Sequence, residues 1–172
     1  MKMFGKHASI AIIAMVLGLA SPLHAEEEVS VADLYQAGLD AYNAGDLPGA
    51  MAKWRPAAEA GNAEAQAWLG YIHDQSEDNE EAVRYYRAAA EQGNVEGIAG
   101  LAEMYVKGEG VEKDFAEALK YFKRAGELGH GRSIRVLIYA FKDGGLGVEP
   151  DATELAYWQA KEAALDTDNK DG

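Results

Sequence analysis

Few residues in this chain could carry out chemistry. The stretch KGEGVEKD, residues 107–114, sets Gly108 and Gly110 ahead of Asp114, where a helical pattern begins. A glycine-rich turn before a helix can cradle a phosphate on its backbone N–H groups. Such a loop needs a strand in front of it and usually a Lys-Ser/Thr pair after the glycines. Neither is present, and Glu109, Glu112 and Asp114 would repel a phosphate. Gly108 falls where a helix should end, and a left-handed cap favours glycine there. The stretch therefore reads as a structural turn, not a nucleotide site.

Other candidates reduce in the same way. Beyond the N-terminal segment the histidines are His73 and His130, with no His-Glu-x-x-His pair or other metal-ligand spacing. Asp74, Ser76, Asp78 and Glu80 alternate as in a calcium loop. However, the sixth position lacks glycine and the twelfth is Tyr85. The tail DTDNKDG ends before such a loop could close. No Gly-x-Ser-x-Gly elbow or Ser-x-x-Lys pair occurs. The expectation is no catalytic residue, no metal and no cofactor. For binding a partner the candidates are Trp68, an aromatic that the rest of the chain does not repeat, and the basic cluster Arg84, Arg87, Lys120, Lys123 and Arg124. The alternative for the basic cluster is pairing with neighbouring glutamates along a helix.

These residues sit in a chain of 172, enough for one domain. Lys2 and Lys6 precede an apolar run from Ala8 to Ala20, then Pro22 and Leu23-His24-Ala25. This is the three-part layout of a secretory signal, with cleavage expected after Ala25. As a membrane anchor the run is short: thirteen residues span roughly 20 Å of a ~30 Å hydrocarbon core. Removal takes two lysines and no acid, leaving 14 basic against 29 acidic residues. A chain this acidic repels phosphate backbones, so nucleic acid is not an expected partner. With no cysteine there is no disulfide framework and no lipidated-cysteine anchor, so the core must come from packing.

The chain repeats itself. Ala50, Ala82 and Ala118 recur at steps of 32 and 36 residues. So do Trp54, Tyr86 and Phe122 (then Trp158), the alanines 57, 89 and 125, the glycines 61, 93 and 129, and the leucines 69, 101 and 137. Within a unit the spacing is helical: Ala82, Tyr86, Ala89 and Ala90 share one face, Gly93-Asn94 interrupts, and Val95, Ile98, Leu101 and Tyr105 follow. The pattern predicts helices at 31–44, 47–60, 63–75, 79–92, 95–107, 115–128, 131–142 and 152–165. Asp78, Asp114 and Asp151 each precede a glutamate three residues on, the form of a capping box. Asn62 and Asn94 suit N-caps, and His130 aligns with them. Pro56 falls inside the second helix, where it should remove a hydrogen bond and kink the chain. Neither helix pair buries its apolar face alone, so the pairs should stack into a solenoid.

The run from Ala82 to Gly129 now resembles the Sel-one-like repeat, a branch of the tetratricopeptide-repeat superfamily. Ala82, Tyr85-Tyr86, Ala89-Ala90, Gly93, Gly97, Leu101, Tyr105, Gly108-x-Gly110-Val111 and Asp114 match that family's pattern, and the likeness covers about residues 46 to 160. The departures are a four-residue-shorter junction at 73–81, Gly126 in place of an alanine, and an extra residue in DGGLGVEPD. The resemblance implies an all-α, right-handed α-solenoid over residues 26–165. A signal peptide would precede it at 1–25 and a polar tail follow at 166–172. It also implies a non-enzymatic scaffold that holds a protein or peptide partner, exported to the periplasm or secreted, within an envelope signalling or assembly complex. Once the signal is cleaved, no stable membrane insertion is expected. The family offers one alternative, a β-lactam-binding or hydrolysing protein, as described for cysteine-rich relatives whose cysteines this chain lacks; the aromatic pairs Tyr85-Tyr86, Tyr121-Phe122 and Tyr157-Trp158, which could line a groove, offer another, a small-molecule sensor.

Overall fold

The structure, a computed structural model, describes residues 29–168. The expected signal peptide at 1–25 lies outside these residues. Among the described residues eight helices follow one another: α1 (Val31–Asn43), α2 (Leu47–Glu59), α3 (Ala63–Gln75), α4 (Asn79–Glu91), α5 (Val95–Lys107), α6 (Phe115–Glu127), α7 (Gly131–Asp143) and α8 (Ala152–Asp168). Consecutive helices pack on each other, most extensively α3–α4, α1–α2 and α5–α6. Contact between α3 and α5 places the odd-numbered helices in one layer. The architecture is the expected all-α solenoid. No described helix is long and apolar enough to cross a membrane.

One backbone device makes the turns. At Gly45, Gly61, Gly93 and Gly129 φ lies between +80° and +92°. The next residue's N–H then bonds the carbonyl five residues back, as from Asn62 to Ala57 and Asn94 to Ala89, at 2.9 and 3.0 Å. This is the Schellman closure, which needs a left-handed residue. The residue after the glycine also opens the next helix. Asn62 accepts from the Ala65 N–H and Asn94 from the Gly97 N–H. His130 does the same through Nδ1, 3.2 Å from the Ser133 N–H. The Gly-Asn pair of the sequence thus ends one helix and starts another.

The junctions after odd helices differ in length but close with the same bond. Asp78 donates its N–H to the His73 carbonyl, Asp114 to that of Tyr105 and Asp151 to that of Phe141, at 2.9, 3.0 and 2.8 Å. The extra residue of DGGLGVEPD is therefore absorbed inside the loop and leaves the last unit in register. In the short junction Glu77 takes the left-handed position, at φ +60°, where the other turns use glycine.

The repeating positions are the core. Ala50, Ala82, Ala118, Leu69, Leu101 and Leu137 are fully buried, and Trp54, Tyr86, Phe122 and Trp158 nearly so. Glycines make room for the large rings. A Cβ on Gly38 would lie 2.3 Å from the Trp54 ring, and one on Gly126 2.7 Å from Trp158. Gly126 is thus an accommodation to the last tryptophan.

Several local expectations need correction. No reciprocal capping box closes at Asp78, Asp114 or Asp151. Asp114 and Asp151 cap through Oδ1, but Glu117 turns to Lys120 and Glu154 to Trp158. Asp78 makes no cap bond because its carboxylate lies 2.9 Å from His73 Nδ1. The box that does form is Ser30 with Asp33. Pro56 does lie inside a continuous α2, as the helical pattern over 47–60 expects. Pro56 and Ala52, whose carbonyl it cannot bond, are both exposed, so water can serve that carbonyl. Helix α8 runs to Asp168, into the expected polar tail, because Leu165 packs against the last core cluster. Residues 169–172 lie outside the described residues.

Candidate functional site

The odd-helix layer presents one solvent-facing stripe per helix. On α3 it is Glu64, Trp68 and Tyr71; on α5, Glu96, Gly100 and Glu103; on α7, Arg132, Val136 and Tyr139. The 32- and 36-residue steps align these as three rows across the face. Cross-links confirm that the helices lie side by side. Lys107 on α5 reaches Asp74 on α3 at 3.0 Å, and Arg132 on α7 reaches Glu103 on α5 at 3.3 Å. Tyr139 is 63% exposed, and Tyr71 is also exposed. On rigid helices such aromatics offer contact area at little ordering cost.

Trp68 belongs to this face but is half-buried. It stacks on Trp54 with centroids 5.1 Å apart, leans on Tyr42 at 4.8 Å and meets Tyr71 edge-on at 6.1 Å. The stack fixes Trp68 and, through it, Tyr71. The five basic candidates lie elsewhere, on the even helices α4 and α6. Arg84 binds Glu81 and covers the Tyr85 ring at 4.1 Å. Lys120 binds Glu117, and Lys123 binds Glu154. Arg87 and Arg124 are exposed and have no ion-pair partner among the described residues. The structure does not gather Trp68 and the basic residues into one surface.

Sequence reasoning placed Tyr86 among the repeating core aromatics and missed where its hydroxyl emerges, on the odd face. The residue starts on α4, and its ring passes between Gly70 of α3 and Gly100 of α5. A Cβ on Gly70 would lie 2.6 Å from the ring, and one on Gly100 2.5 Å from Cε1 and Cζ. The hydroxyl end of the ring thus fills the place where a side chain at position 100 would begin. Tyr86 is 5% exposed, yet its hydroxyl has no hydrogen-bond partner among the described residues. Burial, followed by the carboxylates of Asp74, Glu103 and Glu96, pushes its phenol well above the ordinary tyrosine range. The signal in the sequence was Gly100, standing where the other units carry Trp68 and Val136.

The motifs that suggested chemistry have structural work. Gly108 and Gly110 are both left-handed, at φ +77° and +68°, and Gly110 packs on the Asn79 carbonyl. The calcium-like acids are drawn apart, Asp74 to Lys107 and Asp78 to His73. His73 also stacks on Tyr85 at 5.5 Å, a packing role. Ser133, His130 and Glu96 do meet, with Ser133 Oγ 2.7 Å from Nδ1 and Glu96 3.6 Å from Nε2. Ser133 is fully buried, however, and its N–H shares the same Nδ1, so the trio caps α7.

Known proteins agree with this geometry. The Sel1 repeat family model matches residues 63–94 and 95–130. Each match spans an odd helix and the even helix after it, one helix out of phase with the unit inferred from the sequence. No curated protein matches the chain. A crystallised Sel1 repeat protein from Oxalobacter formigenes aligns with a TM-score of 0.72 at 28% identity, covering 80% of this chain and 60% of that one. A protective antigen of uropathogenic Escherichia coli with an SLR fold aligns with a TM-score of 0.50 at 22% identity, covering 80% of this chain and 39% of that one. The chain therefore spans about 60% or less of the length of these structures. The chain carries two Sel1 repeats, at residues 63–94 and 95–130, within an all-α solenoid.

Proposed function

We propose that the chain is an exported, non-enzymatic scaffold of the cell envelope that holds a protein or peptide partner on its odd-helix face. The observation that carries this reading is the row Tyr71, Glu103 and Tyr139, in which two aromatics stand exposed on helices already fixed by a packed core. A preformed surface of this kind binds with little ordering cost. Export rests on Lys2, Lys6 and the apolar run Ala8–Ala20. The periplasm is the expected compartment.

Two measurements test this. A photo-cross-linking amino acid replacing Tyr71 or Tyr139 should give a discrete protein adduct in the producing cell, and one replacing Arg124 on α6 should not. Adducts from position 124 alone would refute the assignment of the face. N-terminal sequencing of the envelope-extracted protein should begin at Glu26. An intact Met1 would refute cleavage.

A further inference from the structure

We infer that the notch at Gly100, floored by the Tyr86 hydroxyl and rimmed by Glu96 and Glu103, is a receptor for a cationic side chain, an arginine or lysine carried by an extended peptide. This rests on the scaffold reading above and names the partner's chemistry.

No buried side-chain oxygen among the described residues lacks a partner, so the Tyr86 hydroxyl, which has no protein partner, keeps an edge open to solvent where a donor can reach it. Tyr86 is held in that state by the two glycines that let its ring through, so the arrangement belongs to the packing and is not an accident of a mobile side chain. A protein partner for it can therefore come only from the solvent side.

The charge around the notch sets the partner's sign. Glu96 and Glu103 lie four residues before and three after Gly100, hence on the same face of α5. Glu96 is 74% exposed on its side chain, and the group it pairs with is the His130 ring, Nε2 at 3.6 Å. Lys107, the cation on α5, is committed to Asp74. Glu103 already carries a guanidinium, that of Arg132 at 3.3 Å, whose side chain is 70% exposed. An internal arginine held this loosely shows which group the carboxylate accepts and can give way to an incoming one. A guanidinium or ammonium would donate to Glu96, Glu103 and the Tyr86 oxygen together. The stem of such a side chain needs apolar walls, and Trp68 and Val136 stand in the same row on either side.

The test uses the purified protein and a fluorescein-labelled peptide of alternating glycine and arginine, read by anisotropy at low salt. Counterparts carry lysine, neutral citrulline or glutamate in place of arginine. The arginine and lysine peptides should bind, and the citrulline peptide should bind at least about tenfold more weakly, the weight of a charge-assisted hydrogen bond. Glu103→Gln and Tyr86→Phe, which retains the ring, should each weaken binding several-fold, and Glu112→Gln in the 108–114 loop should not. Arg132→Ala should strengthen binding more than Arg124→Ala, although both remove one positive charge.

Equal binding of the citrulline peptide, or equal effects of Arg132→Ala and Arg124→Ala, would overturn the inference. So would displacement by spermine at the peptide's own concentration, which would make the ligand a free polyamine. If position 71 and 139 cross-links persist while no cationic peptide binds, only the charge assignment fails; if they disappear as well, the scaffold reading fails with it.

Discussion

Glycines with positive φ allow backbone strain to be separated from packing within one molecule. Gly93, at φ +84°, has nothing within 4 Å of an added Cβ. Gly108, at φ +77°, would bring a Cβ to 3.0 Å from the Lys113 Cβ, and Gly110, at φ +68°, to 2.2 Å from the Asn79 carbonyl oxygen. Alanine in the left-handed region costs roughly 1–2 kcal/mol, and the stiffer unfolded chain returns about 0.4–1. Gly93→Ala should therefore destabilise by about 1 kcal/mol or less. Gly108→Ala adds contact with a side chain that can give by a few tenths of an ångström, for about 1 kcal/mol or slightly more. Gly110→Ala meets backbone, and the loop must lift from the start of α4 and from Val83. Overpacking of that kind adds roughly 1–3 kcal/mol, for about 2–4 in total. Urea melts of the three variants give the ordering through their midpoints at unchanged slope. If Gly110→Ala costs no more than Gly93→Ala, the seating of the loop on Asn79 is not part of the fold's stability. A shift of the wild-type midpoint by millimolar nucleotide would refute the structural-turn account altogether.

The remaining predictions follow from single contacts. Glu77→Gly should stabilise by about 0.5 kcal/mol, since Glu77 holds at φ +60° the position that four other turns give to glycine; a lower urea midpoint would count against this. Leu101→Ala, fully buried, should cost about 2–5 kcal/mol in the same assay. Gly126→Ala should cost about 1–3 kcal/mol by pressing on Trp158, and less in a Trp158→Phe background, a coupling that a double-mutant cycle measures. Glu127 accepts from Lys161 at 2.7 Å and from the Tyr157 hydroxyl, which hold its carboxyl below the ordinary carboxylate range, Lys161 contributing most. Its folded-state pKa is depressed, so its stabilisation is present above about pH 4 and is lost as pH falls further. The stability gap between wild type and Glu127→Gln should narrow over that fall.

The helices were legible because two local signals agree. Apolar spacing marks each helix, and a glycine followed by a capping residue marks both the end of one and the start of the next. Side-chain choices at the ends were less legible because a carboxylate has several partners in reach once the fold is made. Asp78 faces His73, which lies five residues away and outside any local capping rule. Glu154 finds the Trp158 indole, and Lys123 from another helix. The candidate site was the least legible part. Trp68 was visible as a break in the repeat, but its place in a stack with Tyr42 and Trp54 depends on α1, which lies outside the best-matching units. Tyr86 read as core by its recurrence with Trp54 and Phe122, and its ring is core. That its hydroxyl emerges on the far layer depends on Gly70 and Gly100 lying on two different helices, a pairing that no one-dimensional pattern reveals.

The division between repeating and varying positions is itself a physical argument about where recognition resides. Columns that hold layers together hardly vary: alanine at 50, 82 and 118, leucine at 69, 101 and 137, all fully buried. A change there opens a cavity or forces helices apart, and the cost is felt by both neighbours. Columns on the odd face carry no such load, and each of them changes along the chain. They read Glu, Glu and Arg at 64, 96 and 132, Trp, Gly and Val at 68, 100 and 136, and Tyr, Glu and Tyr at 71, 103 and 139. The face is as rigid as the core beneath it, because each row sits on helices the core has already placed. Tyr86 joins the two sets of positions: its ring obeys the core column, and its hydroxyl opens on the face. A substitution there can keep the first role and remove the second, which is why Tyr86→Phe separates recognition from stability where Trp68→Ala, with its ring bedded on Trp54, would disturb both.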